Sequence, residues 1–178
     1  MEPLTQTAII NRAIGLKEAE GYIDVIKLAK SYDIEIYLQN KTGDENFNAC
    51  IERDPDTNGY KIFVNPQQPF ERQRFSIAHE LAHYVLHKGM LDTGEPLHRD
   101  PTDQANKTNE EKADSLAAEI LMPKKFVEEY TDTESINKQT PLTKTVIVSI
   151  ANLFKVSRTV AAIRLRSLNY FVPFISFA

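Results

Sequence analysis

The sequence predicts an α+β fold, in which a small, mostly antiparallel sheet packs against two central helices and a helix-turn-helix-like segment follows at the C-terminus. Three observations predict it. Two short β-type segments flank an Asn-Gly turn, an unbroken helical stretch comes next, and a second helical stretch rich in Ala and Leu ends at Pro123. The sheet therefore precedes the two central helices along the chain.

The N-terminal part is predicted to form two helices and three strands. Residues 5–20 favour a helix, and residues 22–30 favour a clearer amphipathic one. Residues 34–38 alternate between apolar and polar side chains, as a half-buried strand does. Residues 47–53 and 60–64 are separated by Pro-Asp and Asn-Gly turn signals, which predict a β-hairpin.

The first central helix is predicted over residues 74–87, which contain neither Gly nor Pro. Its apolar residues recur at three- and four-residue intervals, and further apolar residues widen that face, so we expect the helix to be largely buried. Pro66 and Pro69 stand upstream, where the helix has not yet begun. Gly89 is predicted to cap its C-terminus.

This helix carries the pattern His-Glu-x-x-His at His79, Glu80 and His83. Residues four apart lie on one face of a helix, so both imidazoles can bind the same metal ion. Glu80 is placed to act as a general base, as in zinc-dependent hydrolases. A buried helix that holds two His and one Glu needs partners for them, and a metal supplies those partners. The alternative is an amphipathic helix with two surface histidines.

A catalytic zinc needs a third protein ligand. The second central helix, predicted over residues 109–123, has Glu110 and Asp114 four apart on one face. Glu110 is the predicted ligand, and Asp114 is predicted to accept the N–H of a ligating His, which would fix its tautomer. The alternative for acidic residues here is that they complement the helix dipole, and we favour it for Glu111 and Glu119.

Two other histidines are weaker candidates for the third ligand. His87 lies about 80° around the helix from the first ligand, so we expect it to pack or form a hydrogen bond near the helix end. His98 lies in a polar, turn-rich stretch, residues 90–108, which is a candidate for a mobile loop over the cleft. A second group that stabilises an oxyanion is also expected. The candidates are His98, Tyr60 and Tyr84.

Residues 74–83, followed by residues 110–123, resemble the ImmA/IrrE family of metallopeptidases. The family pattern is Arg-Phe-x-x-Ala-His-Glu-x-x-His, then Glu-x-x-Ala-(Asn or Asp)-x-(Phe or Leu)-Ala, and both blocks occur here in that order. A looser resemblance extends over residues 22–168. The chain departs from many members at Asp114, where they have Asn.

The resemblance implies that His79, His83 and Glu110 bind one zinc ion per chain and that Glu80 is the catalytic base of an endopeptidase. It also implies a protein substrate, namely a helix-turn-helix (Xre-type) transcriptional repressor, often encoded nearby in a prophage, another mobile element or a stress regulon. Cleavage of the repressor would derepress genes. The edge of the small sheet is a candidate surface for binding the substrate as an added strand.

The length of 178 residues suits one domain with a small appendage. We expect a zinc metallopeptidase domain over residues 1–130 and a helical segment over residues 131–178 that packs on it. The contents of 42% hydrophobic and 26% charged residues are typical of a globular protein. The single Cys50 excludes an intrachain disulfide, and no signal peptide or membrane span is recognised, so we expect a cytoplasmic location.

Residues 142–178 contain five Lys or Arg and no Asp or Glu, and residues 149–165 resemble a helix-turn-helix with Ser157 as an N-cap. One interpretation is DNA contact, and the other is a helical pair packed on the peptidase body. The candidate contacts are Arg158, Arg164 and Arg166.

The alternative function is a DNA-binding or protein-interaction regulator with a vestigial or structural metal site, which the intact Glu80 argues against. A metal-dependent hydrolase of a non-peptide substrate is a third reading.

Overall fold

The computed structural model describes residues 4–93 and 104–173. Over these residues the α+β class is confirmed, with eight helices around a three-stranded sheet. The helices are α1 Gln6–Ile14, α2 Val25–Lys30, α3 Phe70–Leu86, α4 Lys88–Thr93, α5 Gln104–Leu121, α6 Lys124–Thr133, α7 Lys144–Phe154 and α8 Arg158–Ser167. The strands are β1 Ile34–Leu38, β2 Ala49–Arg53 and β3 Tyr60–Val64.

The sheet has the strand order β1-β3-β2. β2 and β3 form the predicted hairpin and pair antiparallel, with Ile51 opposite Ile62. β1 pairs in parallel with β3, because residues 39–48 carry the chain to the far edge of the sheet before it turns back into the central strand. The sheet is therefore mixed, with one antiparallel and one parallel pair, and Ile62 and Val64 of its central strand are fully buried.

Helix α3 lies at the centre of the molecule. It begins directly after Pro69 and packs against β2 and β3 on one side and α5 on the other. Leu81 and Ala82 are fully buried, in agreement with the expected burial of this helix. The predicted cap at Gly89 is wrong, because α3 already ends with His87 as its C-cap and Gly89 lies inside α4.

Several predicted boundaries differ from the structure. α1 ends at Ile14 rather than near residue 20, and α5 begins at Gln104, five residues earlier than predicted. Part of the polar stretch at residues 90–108 is therefore helical, and residues 94–103 lie outside the described residues. Pro123 ends α5 and stands at the N-terminus of α6, where a missing N–H costs no hydrogen bond.

The C-terminal helices α7 and α8 meet at 102°, within the range of a helix-turn-helix. Ser157 is the N-cap of α8, and its Oγ accepts a hydrogen bond from the N–H of Val160 at 3.2 Å. Lys155 makes the turn with a positive φ of 53°. Within the described residues no single helix is long and apolar enough to cross a membrane, and only the bent pair α7–α8, taken together, has that length and composition.

Arg74 fastens α7 to the central helix. It is only 4% exposed, and its Nε donates to the carbonyl oxygen of Lys155 at 3.0 Å, while its Nη2 donates to that of Phe154 at 3.4 Å. These two carbonyls belong to the C-terminal end of α7, which has no further N–H groups of its own to satisfy them. The guanidinium therefore links the start of α3 to the end of α7.

Arg164 fastens α8 to α5 in a similar way. It is 7% exposed, its Nε donates to the carbonyl oxygen of Met122 at 3.1 Å, and its Nη2 pairs with Glu119 at 3.0 Å. The two C-terminal helices thus pack on α3 and α5.

Candidate metal centre

His79 and His83 lie on consecutive turns of α3, with their Nε2 atoms 2.9 Å apart. Glu110 of α5 approaches both of them. Its Oε2 lies 3.2 Å from Nε2 of His79, and its Oε1 lies 3.3 Å from Nε2 of His83. The packing of α3 against α5 therefore brings together three side chains from two separate parts of the sequence.

This donor set fits a divalent metal. The three ligand atoms all lie within 4.8 Å of one another. Tetrahedral zinc, with bonds of roughly 2.0–2.2 Å, holds neighbouring ligand atoms about 3.3 Å apart. The two Nε2 atoms are 2.9 Å apart, and each has one carboxylate oxygen of Glu110 at 3.2 or 3.3 Å, which is close to that value. Two imidazoles and one carboxylate also leave a fourth coordination position open, which is typical of catalytic rather than structural zinc sites.

Asp114 supports the first imidazole. It lies one turn after Glu110 on α5, and its Oδ1 is 2.9 Å from Nδ1 of His79. Because a carboxylate can only accept, a neutral His79 donates from Nδ1 and keeps the lone pair of Nε2 for a metal. The carboxylate at this position thus selects the tautomer that metal binding needs.

His87 makes the corresponding contact to the second imidazole. Its Nδ1 is 2.9 Å from Nδ1 of His83, and a side-chain hydrogen bond joins it to Asn109 of α5. When His83 donates from Nδ1, His87 accepts and donates from its other ring nitrogen to the Asn109 amide oxygen. A hydrogen bond of His87 near the helix end was expected from the sequence, but its partner His83 and the contact to Asn109 were not, although the four-residue spacing from His83 to His87 was a usable signal.

Glu80 is only 2% exposed, yet it lines the cavity of the site. The backbone N–H of Ile51 donates to its carboxylate, whereas its Oε2 has no hydrogen-bond partner among the described residues. Burial raises the pKa of Glu80 to about 7, with His79 and the Ile51 N–H lowering it and Glu110 raising it. Such a group can take up and release a proton near neutral pH.

The charges around the imidazoles favour a cation. Burial lowers the pKa of His79, but hydrogen bonds to Asp114 and Glu110 outweigh it and raise that pKa to about 10. Burial also raises the pKa of Glu110, yet hydrogen bonds from His79 and His83 hold it well below its usual range. Without a metal, a proton on the imidazoles supplies the positive charge that the carboxylates attract.

The site opens into a cavity of about 510 Å³. α3 forms one wall with Arg72, Phe75 and Ser76, and residues 46–49, which lead into β2, form another. β2 is an edge strand whose outer side pairs with no other strand of the described chain. A strand edge of this kind can accept a peptide as an added strand.

The predicted oxyanion candidates lie elsewhere or outside the described residues. The hydroxyl of Tyr60 hydrogen-bonds to Asp92 and Lys88, and its ring contacts Tyr84 edge-on at a centroid separation of 4.9 Å. Neither tyrosine lines the metal-centre cavity. His98 belongs to the part of the chain that the structure does not describe.

Two of the three predicted DNA contacts are engaged within the protein. Arg164 is buried against α5, so its guanidinium is not available to a phosphate. Arg166 donates from Nε to the carbonyl oxygen of Val172 at 3.3 Å and from Nη2 to that of Pro173 at 3.1 Å. Arg158 is exposed at the start of α8.

Comparison with known proteins gives two findings. Residues 32–166 match the profile of the family described as Peptidase_M78: IrrE N-terminal-like domain. One solved structure similar to this chain is a Mycobacterium tuberculosis transcriptional regulator, with a TM-score of 0.55 and 13% sequence identity. The match covers 92% of this chain and 47% of that protein, so this chain spans about half of its length, and the likeness extends to the fold alone. No curated protein matches the sequence.

Proposed function

The chain belongs to the Peptidase_M78 (IrrE N-terminal-like) family, and from that premise we propose that it is a zinc-dependent endopeptidase. One observation carries the proposal. His79, His83 and Glu110 converge beside Glu80, a buried carboxylate with an unused oxygen. Three ligands and a general base are the protein groups that a zinc peptidase requires.

Zinc, one ion per chain, is the proposed metal, because two imidazoles and one carboxylate with an open position match its preferences. A zinc ion held by these residues would supply Lewis-acid polarisation of the scissile carbonyl and would lower the pKa of water toward neutral pH. Asp114 and His87 hold the two imidazoles by their Nδ1 atoms, which keeps both Nε2 atoms directed at the same point as Glu110.

Glu80 is the proposed general base and acid. The N–H of Ile51 occupies one carboxylate oxygen, so Oε2 remains to accept the proton of the attacking water and to deliver it to the leaving amine. Burial raises the pKa of this carboxyl group, so Glu80 accepts a proton more readily than a solvent-exposed Glu does. The same carboxylate can therefore perform both transfers in one cycle.

A polypeptide is the proposed substrate. Ala49, the first residue of the edge strand β2, lines the cavity, and backbone pairing along a strand edge recognises an extended peptide rather than a small non-peptide molecule. We further propose a helix-turn-helix (Xre-type) repressor as the physiological substrate, whose cleavage would derepress stress or mobile-element genes. Membership in the IrrE-like family supports this choice of substrate class.

The test compares wild type with Glu110→Ala and Glu80→Gln. Metal content is measured by mass spectrometry, and cleavage is measured on unstructured casein and on an Xre-type repressor encoded near the gene. We expect about one zinc per wild-type chain, loss of zinc in Glu110→Ala, and retained zinc in Glu80→Gln with cleavage lowered roughly 10²–10⁴-fold. A wild-type chain that binds no zinc when it is offered, or full cleavage by Glu80→Gln, would overturn the proposal.

The DNA-binding alternative makes the opposite prediction. A regulator with a structural metal site would keep its function in Glu80→Gln and lose it in Arg158→Ala. Since Arg164 is buried and Arg166 holds the backbone of residues 172–173, the described residues give that alternative less support.

A further inference from the structure

A second pocket adjoins the metal-centre cavity at the point where α3, α5 and α8 meet. Its volume is about 240 Å³. Its apolar wall is formed by Phe75 of α3, Ala118 of α5, and Val160 and Ile163 of α8. We call it the apolar pocket.

The apolar pocket adjoins the metal-centre cavity, because Phe75 and Asp114 line both. The ring centroid of Phe75 lies 6.3 Å from that of His79, and Asp114 contacts Nδ1 of the same imidazole. The pocket therefore begins one side chain away from a proposed metal ligand. A side chain of a polypeptide held in the cavity needs to reach past only Phe75 or Asp114 to enter the pocket.

The size of the apolar pocket suits one side chain. Sites for drug-sized molecules usually measure roughly 300–1,000 Å³, and this pocket is smaller. Ile163 stands at its rim and is 55% exposed. Its exposed side chain extends the apolar lining to the surface, where an incoming side chain can contact it.

We infer that the apolar pocket is a specificity subsite that takes one aliphatic or aromatic side chain of the polypeptide held in the metal-centre cavity. The inference rests on the proposed peptidase function. The polar edge supports it, because Glu111 and Asp114 would repel an acidic side chain, and Arg164, the basic residue at that edge, is paired with Glu119. An apolar side chain gains by leaving water, whereas a charged one loses its hydration.

The test uses a mixture of proteome-derived peptides incubated with the zinc-loaded protein, with cleavage sites read by mass spectrometry. Ala118→Phe fills the apolar pocket from its floor, and Ile163→Ala removes its rim. Ile26→Ala is the matched control, since Ile26 is a 45% exposed isoleucine on α2 that lines neither cavity. Thermal unfolding checks that each variant is folded.

We expect wild type and Ile26→Ala to enrich Leu, Ile, Met or Phe at one position beside the cleaved bond. Ala118→Phe lowers kcat/KM for a peptide with Leu there by at least ~10-fold, and for the same peptide with Ala there by less than ~2-fold. Ile163→Ala lowers the preference for Leu over Ala by several-fold without a change in zinc content. Each pocket substitution is also made in the inactive Glu80→Gln protein. There it weakens binding of the labelled Leu peptide, measured by fluorescence anisotropy, by the same factors.

The outcomes separate the two levels of the argument. Zinc-dependent cleavage that shows no apolar preference, or a preference that survives both pocket variants, would overturn the subsite while the peptidase function stands. Absence of cleavage and of peptide binding in the wild type would overturn the peptidase function and the subsite together.

Discussion

Helix α3 buries two charged side chains that the molecule treats in opposite ways. Arg74 donates from Nε and Nη2 to two carbonyl oxygens at the end of α7, and its guanidinium carbon lies 4.9 Å from the ring centroid of Tyr22. Glu80, less than two turns further on, has one carboxylate oxygen without a donor among the described residues. A buried charge that holds the fold is satisfied by the protein, whereas a buried charge with unused capacity indicates a functional site.

The same contrast separates two acidic residues of α5. Glu119 forms an ion pair with Arg164 of α8 at 3.0 Å. Glu110 faces two imidazoles whose own Nδ1 atoms are held by further side chains, so three ligand atoms point to one place. Arg164 and Glu119 thus satisfy each other within the protein, whereas Glu110, His79 and His83 form a set of ligands that a metal ion would complete. The predictions below test that difference, beginning with the largest effect.

Removal of the metal should produce the largest loss of stability. At free zinc about 1,000-fold above Kd, binding to the folded state alone contributes about 4 kcal/mol to the free energy of unfolding. The measurement is thermal unfolding of the zinc-loaded protein with and without a chelator. Glu110→Ala should unfold at a temperature that the chelator does not change. If the zinc-loaded and the chelator-treated wild type were equally stable, the metal centre would not differ from the C-terminal region in its need for a ligand.

Substitution of Arg74 should produce the second-largest loss of stability. Arg74→Met leaves two buried carbonyl oxygens without a donor, at a cost of roughly 1–3 kcal/mol each, so we expect the free energy of unfolding to fall by about 3 kcal/mol. Urea unfolding of the metal-free protein gives the value. The matched control is Arg72→Met, an exposed arginine on the same helix, which should stay within about 0.5 kcal/mol. Equal effects of the two substitutions would contradict the anchoring role of Arg74.

Arg164→Met should cost less, about 2 kcal/mol, because Met122 loses one donor while the partly exposed Glu119 can turn to water. Arg158→Met on the exposed face of the same helix is its control. Zinc content should not change in either variant. A fall in zinc content with Arg164→Met would show that the two regions are coupled rather than separate.

The two regions also differ in how far the sequence predicted them. The His79–His83 pair was predictable because helix geometry alone sets the direction of side chains four residues apart. Glu110 needed a second block of sequence, in which Asp114 four residues later distinguishes it from Glu111 and Glu119. The parallel partner of β1 was not predictable, because a hairpin signal is local and a crossover is not.

The arginines of α8 show where a count of charges fails. The basic C-terminal segment suggested a surface for DNA, but a net charge says nothing about direction. At 100° per residue, Arg164 lies about 160° around the helix from Arg166 and about 120° from Arg158, so the three cannot share one face. The helical period therefore predicts which arginines can face the same way, whereas the number of charges does not.

The smallest expected effect concerns His87, which ends helix α3 and also contacts the proposed ligand His83. A substitution there tests whether this residue serves the fold or the metal centre. His87→Leu removes the acceptor for Nδ1 of His83, and such losses typically weaken metal binding by roughly 10–100-fold. His87→Gln retains an acceptor and should recover most of the affinity, which is measured by competition with a chromogenic chelator. Because His87 lies at the end of α3 and is only partly buried, the metal-free Leu variant should unfold at the wild-type temperature. A Leu variant that binds zinc as tightly as wild type would mean that His87 does not orient His83. A variant destabilised without metal would place His87 with Arg74 among the residues that serve the fold.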